Sequence, residues 1–224
     1  MAAKRMIVVH HSEATWSNFD NIYHTHTDPT KQGGNGWSHI GYHMIIEKTG
    51  QVHRGLWDLE SGYHTLDVCN IKKAVGGILN SISLGVCVCG QFNQYHITRA
   101  QWESLIEVVA LWCVRHNIVP NRDRIKGHLD LQPIKRIELL DTDILNFKKT
   151  HHPQIEDVEH HPNSKDNTKN KTVILYKNTC PGNLLYPKLN DLCSKVDEKI
   201  KVEKEALKRK ANGTCPASEY QPWY

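Results

Sequence analysis

The sequence predicts an α/β fold, a β-sheet with helices packed on it. Short runs of Val, Ile and Leu, bounded by Gly and polar residues, supply the strands. One long stretch with apolar residues at helical spacing, and a second charged one near the end, supply the helices. With 224 residues, 39% of them hydrophobic, the chain has enough apolar material for one good core plus appendages.

The elements follow in order. Arg5–His10 reads as a buried strand, because Ile7, Val8 and Val9 are β-branched. Ser17–His24 reads as a short helix ahead of the Gly33-Gly34-Asn35-Gly36 loop. Tyr42–Lys48 and Gln51–Arg54 read as strands joined by a Thr49-Gly50 hairpin turn. Ile82–Cys89 is a further strand. Thr98–His116 is the clearest helix: Thr98 and Gln101 form a capping box, and Trp102, Leu105, Ile106, Val109 and Cys113 share one stripe. Leu131–Phe147 carries Ile134, Ile137, Leu139, Leu140, Ile144 and Leu145, which suits one or two short helices. His151–Lys171 is polar and rich in turn residues, the pattern of a mobile surface loop, and Thr172–Tyr176 is a strand. Asn190–Lys210 is a charged helix with Leu192, Val196, Ile200 and Leu207 on one face, stopped by Asn212-Gly213.

Charge and composition narrow the function classes. A formal net charge of +4 is mild, compatible with an anionic polymer as partner, and nucleic acid is not expected. No run reaches the length of a membrane span, and no apolar export segment follows Met1. The expectation is a protein made in the cytoplasm and not exported by the standard route. Seven cysteines is an odd number for a disulfide framework. Cys87 and Cys89 read as core packing, Cys69, Cys113 and Cys193 as buried or helix-face residues, and Cys215 as a tail residue, which suits a reducing compartment.

Three strings carry chemistry: Val8-Val9-His10-His11-Ser12, Lys126-Gly127-His128-Leu129-Asp130 and Asn178-Thr179-Cys180-Pro181-Gly182. His10 ends a buried strand, His128 follows a Gly, and Cys180 precedes a Pro-Gly turn. Two imidazoles and one thiolate make a three-ligand zinc site with one open position, the arrangement of catalytic rather than structural zinc. One zinc ion per chain is expected, held by His10, His128 and Cys180. His11 points to the opposite strand face from His10, and His43 reads as structural. His151-His152 and His160-His161 read as solvated loop residues rather than a second metal site.

These strings, together with Trp37 through Ile46, Lys48-Thr49-Gly50-Gln51-Val52, Asn80 and Ser83-Leu84-Gly85-Val86, resemble the zinc-dependent N-acetylmuramoyl-L-alanine amidases. That family includes phage lysozyme-type endolysins and peptidoglycan recognition proteins. The resemblance runs through Arg5–Asp130, resumes at Asn178–Tyr186, and covers about three fifths of the chain. It implies a central mixed β-sheet flanked by helices, and a zinc-dependent hydrolysis of the amide between N-acetylmuramic acid and L-alanine in peptidoglycan. It implies that Tyr42 matches the catalytic tyrosine and that His64 matches a cleft position in contact with substrate. It also implies release to the cell wall by a holin-type route, with a cytoplasmic enzyme that recycles wall fragments as the other placement.

The chain departs from the family in two ways. His128 and Cys180 lie far closer together in the family, whereas some fifty residues separate them here. Residues 1–130 and 172–190 therefore read as the amidase domain, 131–171 as an insertion able to take a protein partner, and 191–224 as a charged helix and tail. Two residues before the cysteine, where the family carries Lys or Thr, stands Asn178, with Lys177 beside it. Asn donates hydrogen bonds but brings no positive charge. A non-catalytic, zinc-bearing module that binds peptidoglycan or a protein is the alternative reading.

Overall fold

The computed structural model describes residues 2–65, 79–131, 133–140, 156–160, 170–176 and 180–211. Its centre is a five-stranded sheet of β1 (Met6–His11), β2 (Met44–Ile46), β3 (Val52–Arg54), β4 (Ser83–Val88) and β5 (Ile125–Gly127), in the order β3-β2-β4-β1-β5. β1 pairs in parallel with both β4 and β5, β2 pairs in parallel with β4, and only the β2–β3 hairpin is antiparallel. The sheet is therefore mixed, as the family resemblance implies, and helices flank it, as the sequence predicts. Ile7, Val8, Val9, Leu84, Val86 and Val88 are all fully buried. Strands buried on both faces read as continuous apolar runs, which is why β1 and β4 stand out in the sequence.

The hairpin turn depends on one glycine. Gly50 has φ +88°, and a Cβ there would sit 2.9 Å from the Ala100 carbonyl oxygen, so a side chain is excluded by both conformation and space.

Helix α1 (Phe19–Thr27) starts at Asn18, whose side chain accepts a hydrogen bond from the Asn21 N–H. Helix α2 (Arg99–His116) has both halves of its capping box, Thr98 with Gln101, and ends at Asn117 in the left-handed conformation. Its inner face presents Leu105, Val109, Trp112 and Cys113 to the core. Helix α3 (Leu189–Ala211) buries Leu189, Leu192, Val196 and Ile200 in the same cluster, while Leu207 is exposed. Among the described residues no helix is long and apolar enough to cross a membrane.

Two differences from expectation concern the strands. β5 is not foreseen, because three residues are too few to show a period. The stretch expected to be helical instead begins with β6 (Pro133–Leu140), which pairs antiparallel with β8 (Asn170–Tyr176). β7 (Glu156–His160) pairs with β8 on its other edge, inside the stretch expected to be a loop. Pairing with β8 supplies the backbone partners that override a weak local preference for helix. Cys69, Cys215 and His151-His152 lie outside the described residues.

A buried carboxylate ties the loop after β3 to the end of α2. Asp58 accepts hydrogen bonds from Trp112 Nε1 (3.3 Å), Arg54 Nη1 (3.1 Å), His116 Nε2 (3.0 Å) and Arg115 Nη1 (2.8 Å). Burial pushes its pKa up, but the bonds from His116, Arg115, Arg54 and Trp112 win and hold it well below the ordinary carboxylate range. This stabilisation is complete above the unfolded carboxylate pKa and fades as the pH falls below it. Asp58→Ala is expected to lower the unfolding free energy by on the order of 3 kcal/mol at pH 7. In urea titrations, that gap should narrow as the pH drops below about 4.

Candidate metal centre

Parallel strands deliver their carboxyl ends to one edge of a sheet, where ligands of open α/β folds bind. His10 lies near the carboxyl end of β1, in register with Cys87 of β4. β5 ends at Gly127, and His128 opens the single 3₁₀ turn His128–Leu131 that follows. Asp130 braces that turn. Its carboxylate accepts from the Gly127 N–H (2.7 Å), from Arg122 Nη2 (2.8 Å) and from the Tyr186 hydroxyl.

Cys180 enters from a distant part of the chain and is fixed by backbone. The Leu129 N–H donates to the Cys180 carbonyl oxygen at 2.7 Å. The His11 N–H donates to its sulfur at 3.3 Å. The side-chain donor atoms of His10, His128 and Cys180 consequently all lie within 4.8 Å of one another.

This donor set fits zinc. His10 Nδ1 stands 3.6 Å from Cys180 Sγ. Zinc bonds of about 2.3 Å to sulfur and 2.0–2.1 Å to nitrogen place those atoms about 3.6 Å apart in a tetrahedron. Burial, with smaller contributions from His128, His64 and His11, holds His10 well below the usual imidazole pKa, so it is a neutral donor. Burial also pushes the Cys180 thiol well above its usual range, although the His11 N–H opposes this. Without a cation the thiol keeps its proton, and a bound metal would draw it off.

The three donors open into a cavity of about 570 Å³ that is also lined by Tyr42, Cys87, His26, Trp16 and Glu13. Tyr42 is half-buried, with its ring 5.2 Å from that of His10. Burial of its hydroxyl raises its pKa well above the ordinary value, helped by Cys87 and Cys180 and by a hydrogen bond to Cys87. The phenol therefore keeps its proton across the neutral range. His26 Nδ1 accepts the Gly41 N–H at 3.0 Å, and burial lowers its pKa to about 4.

The expected residues fall in three places. His10, His128, Cys180 and Tyr42 converge on the cavity. His64, expected to touch substrate, is 5% exposed and lies behind His10, with its Nδ1 3.1 Å from His10 Nε2. Lys177 and Asn178 lie outside the described residues. His43 is fully buried and accepts the Gly85 N–H on Nδ1 (3.0 Å), so Nε2 carries the proton toward the Glu60 carbonyl (3.1 Å).

Two cavity residues escape the sequence reading. Cys87, read as core packing, forms part of the lining because β4 ends beneath the site. Glu13 has φ +58°, an unusual conformation for a residue other than glycine. Its Oε1 lies 3.4 Å from His11 Nε2. His11 Nδ1 accepts the Phe92 N–H at 3.2 Å, so Nε2 bears the proton that faces the carboxylate. This contact is the main cause of the Glu13 pKa falling below its ordinary value. Only the pair Ser12-Glu13, directly after the ligand strand, hints at it in the sequence.

A mixed sheet with helices on it, and two histidines and a cysteine gathered at its carboxyl edge as a candidate metal site, defines the class as an α/β protein. Comparison with known proteins then gives the family. A family model described as N-acetylmuramoyl-L-alanine amidase matches residues 2–154, and the chain belongs to that family. The match includes His10 and His128 and ends before Cys180. Among solved structures, the chain is similar to the N-acetylmuramoyl-L-alanine amidase LysC from Clostridium intestinale, at 28% identity over 58% of this chain and 73% of that one, with a TM-score of 0.46. It is also similar to human PGRP-IBETAC in complex with glycosamyl muramyl pentapeptide, at 18% identity over 60% and 76% of the two chains, TM-score 0.46. Drosophila PGRP-LB matches at 19% identity over 58% and 73%, TM-score 0.43. No curated protein matches.

The donor set predicts a simple stoichiometry. Elemental analysis after zinc loading and gel filtration should find one zinc per chain, and Cys180→Ala should lose most of it. Full occupancy in that variant would remove Cys180 from the site.

Proposed function

We propose that the protein hydrolyses the amide bond between N-acetylmuramic acid and L-alanine in peptidoglycan, with one zinc ion as cofactor. The observation that carries this reading is the meeting of three metal donors and a protonated tyrosine at one open cavity. Membership of the amidase family supports the substrate class. Zinc, when bound, supplies Lewis-acid chemistry and lowers the pKa of water to about 7.

The chain's own residues would bind and orient. The Tyr42 hydroxyl, with its proton retained, can donate to the oxyanion that develops on the lactyl carbonyl as water adds. Asn178 would offer a second, uncharged donor, and Lys177 is the neighbouring cation able to replace it. Glu13 is the one carboxylate among the described lining residues. Its ionised carboxylate can accept a hydrogen bond from the departing L-alanyl amine. His11 keeps it ionised and in place.

A second reading, binding without hydrolysis, rests on Asn178, because the family places Lys or Thr there. Both behaviours occur in the family. In either case we place the site of action at the cell wall, reached by holin-type release, and read 131–171 as a surface able to take a protein partner.

Two measurements separate these readings. Zinc-loaded protein incubated with purified peptidoglycan should release new L-alanine amino termini, and binding without release would favour the second reading. Tyr42→Phe should keep zinc content and melting temperature while lowering turnover about 10–1000-fold, the scale for one lost oxyanion donor or proton-transfer group. Full activity in Tyr42→Phe would remove the hydroxyl from the mechanism.

A further inference from the structure

We propose that His64 is a positioning residue, one that fixes the tautomer of His10 through a hydrogen-bond relay ending on a backbone carbonyl. The inference rests on the zinc reading above for its consequence. The Leu79 carbonyl oxygen can only accept, so Ser83 Oγ, 2.5 Å away, donates its one proton there. Ser83 Oγ must then act as the acceptor for His64 Nε2 at 3.3 Å, which places the His64 proton on Nε2. His64 Nδ1 is left with a lone pair, and it faces His10 Nε2 at 3.1 Å. His10 therefore carries its proton on Nε2 and presents a bare Nδ1, the nitrogen turned toward Cys180 Sγ. Each choice is forced by the one before it, because a hydroxyl has one proton and a neutral imidazole has one.

The slot around His64 is cut for a ring. A Cβ on Gly85 would lie 2.6 Å from His64 Cγ, and a Cβ on Gly62 would lie 2.5 Å from His64 Cδ2. Asn80 Oδ1 accepts the backbone N–H groups of both His64 (3.1 Å) and Thr65 (3.0 Å). The ring is thus held on its faces by two glycines and at its backbone by Asn80, with neither nitrogen offered to the cavity. Partners behind a metal ligand orient it and raise its basicity, and their loss typically weakens metal binding by about 10–100-fold.

The test uses zinc affinity, read by competition with a chromophoric chelator. His64→Phe keeps a ring but removes the acceptor. His64→Asn keeps a carbonyl oxygen close to the position of Nδ1. Zinc affinity should fall about 10–100-fold in His64→Phe and stay within about threefold of wild type in His64→Asn, because the acceptor is restored. The metal-free melting temperatures of the two variants report any purely structural effect. Wild-type affinity in His64→Phe, or an equal loss in both variants, would overturn the proposal. A wild-type protein that fails to take up zinc would instead overturn the metal reading itself. Nitrogen-15 NMR of the side chains gives a result that does not depend on the variants folding. In wild-type protein the His64 proton should appear on Nε2, and a proton on Nδ1 would contradict the relay.

Discussion

The site depends on the parallel pairing of β1 between β4 and β5. β1 has a hydrogen-bonded neighbour on each side, with Val9 opposite both Val86 and Gly127. That register puts His10 beside Cys87 and brings the turn after β5 level with it. A slip of one residue would turn His10 to the opposite face of the sheet and present His11 instead. The apolar residues that bury β1 are therefore also what aims the first ligand. Ile7, Val8 and Val9 have no direct part in the chemistry, yet its geometry follows from their burial.

Around this edge the molecule keeps almost every group uncharged. Burial lowers the pKa values of His10, His26 and His64, and raises those of Tyr42, Cys87 and Cys180. A set of neutral donors suits a divalent cation, because only the Cys180 thiol must lose a proton when the ion binds. Asp58, by contrast, is ionised and buried, but it lies in the bond network at the end of α2 that joins this helix to the loop after β3. The charged carboxylate that does reach the cavity, Glu13, is held by His11, whose own backbone N–H bonds the Cys180 sulfur. His10 and His11 thus serve the same site from opposite faces of one strand.

Much of this was legible in the sequence, for identifiable reasons. β-Branched runs marked β1 and β4, Thr98 and Gln101 marked the start of α2, and ligand chemistry at a strand end, after a Gly and before a Pro-Gly turn picked out His10, His128 and Cys180. β5 was missed because three residues carry no period, and β6 was misread because its partner strand lies far along the chain. His64 was legible as a site residue but not as one behind the ligand. Which side of His10 it occupies depends on the packing of Gly62 and Gly85, which no local pattern encodes. Glu13 was only hinted at by its place just after β1, because its position follows from a backbone conformation rather than from a motif.

We read His10, His128 and Cys180 as together holding one zinc ion. X-ray absorption at the zinc edge of the loaded protein tests it directly, since sulfur and nitrogen scatter at distinct distances. The expected shell has one sulfur at about 2.3 Å and the remaining ligands as nitrogen or oxygen at about 2.0–2.1 Å, with an imidazole signature. A coordination shell with no sulfur, or with two or more, would contradict it.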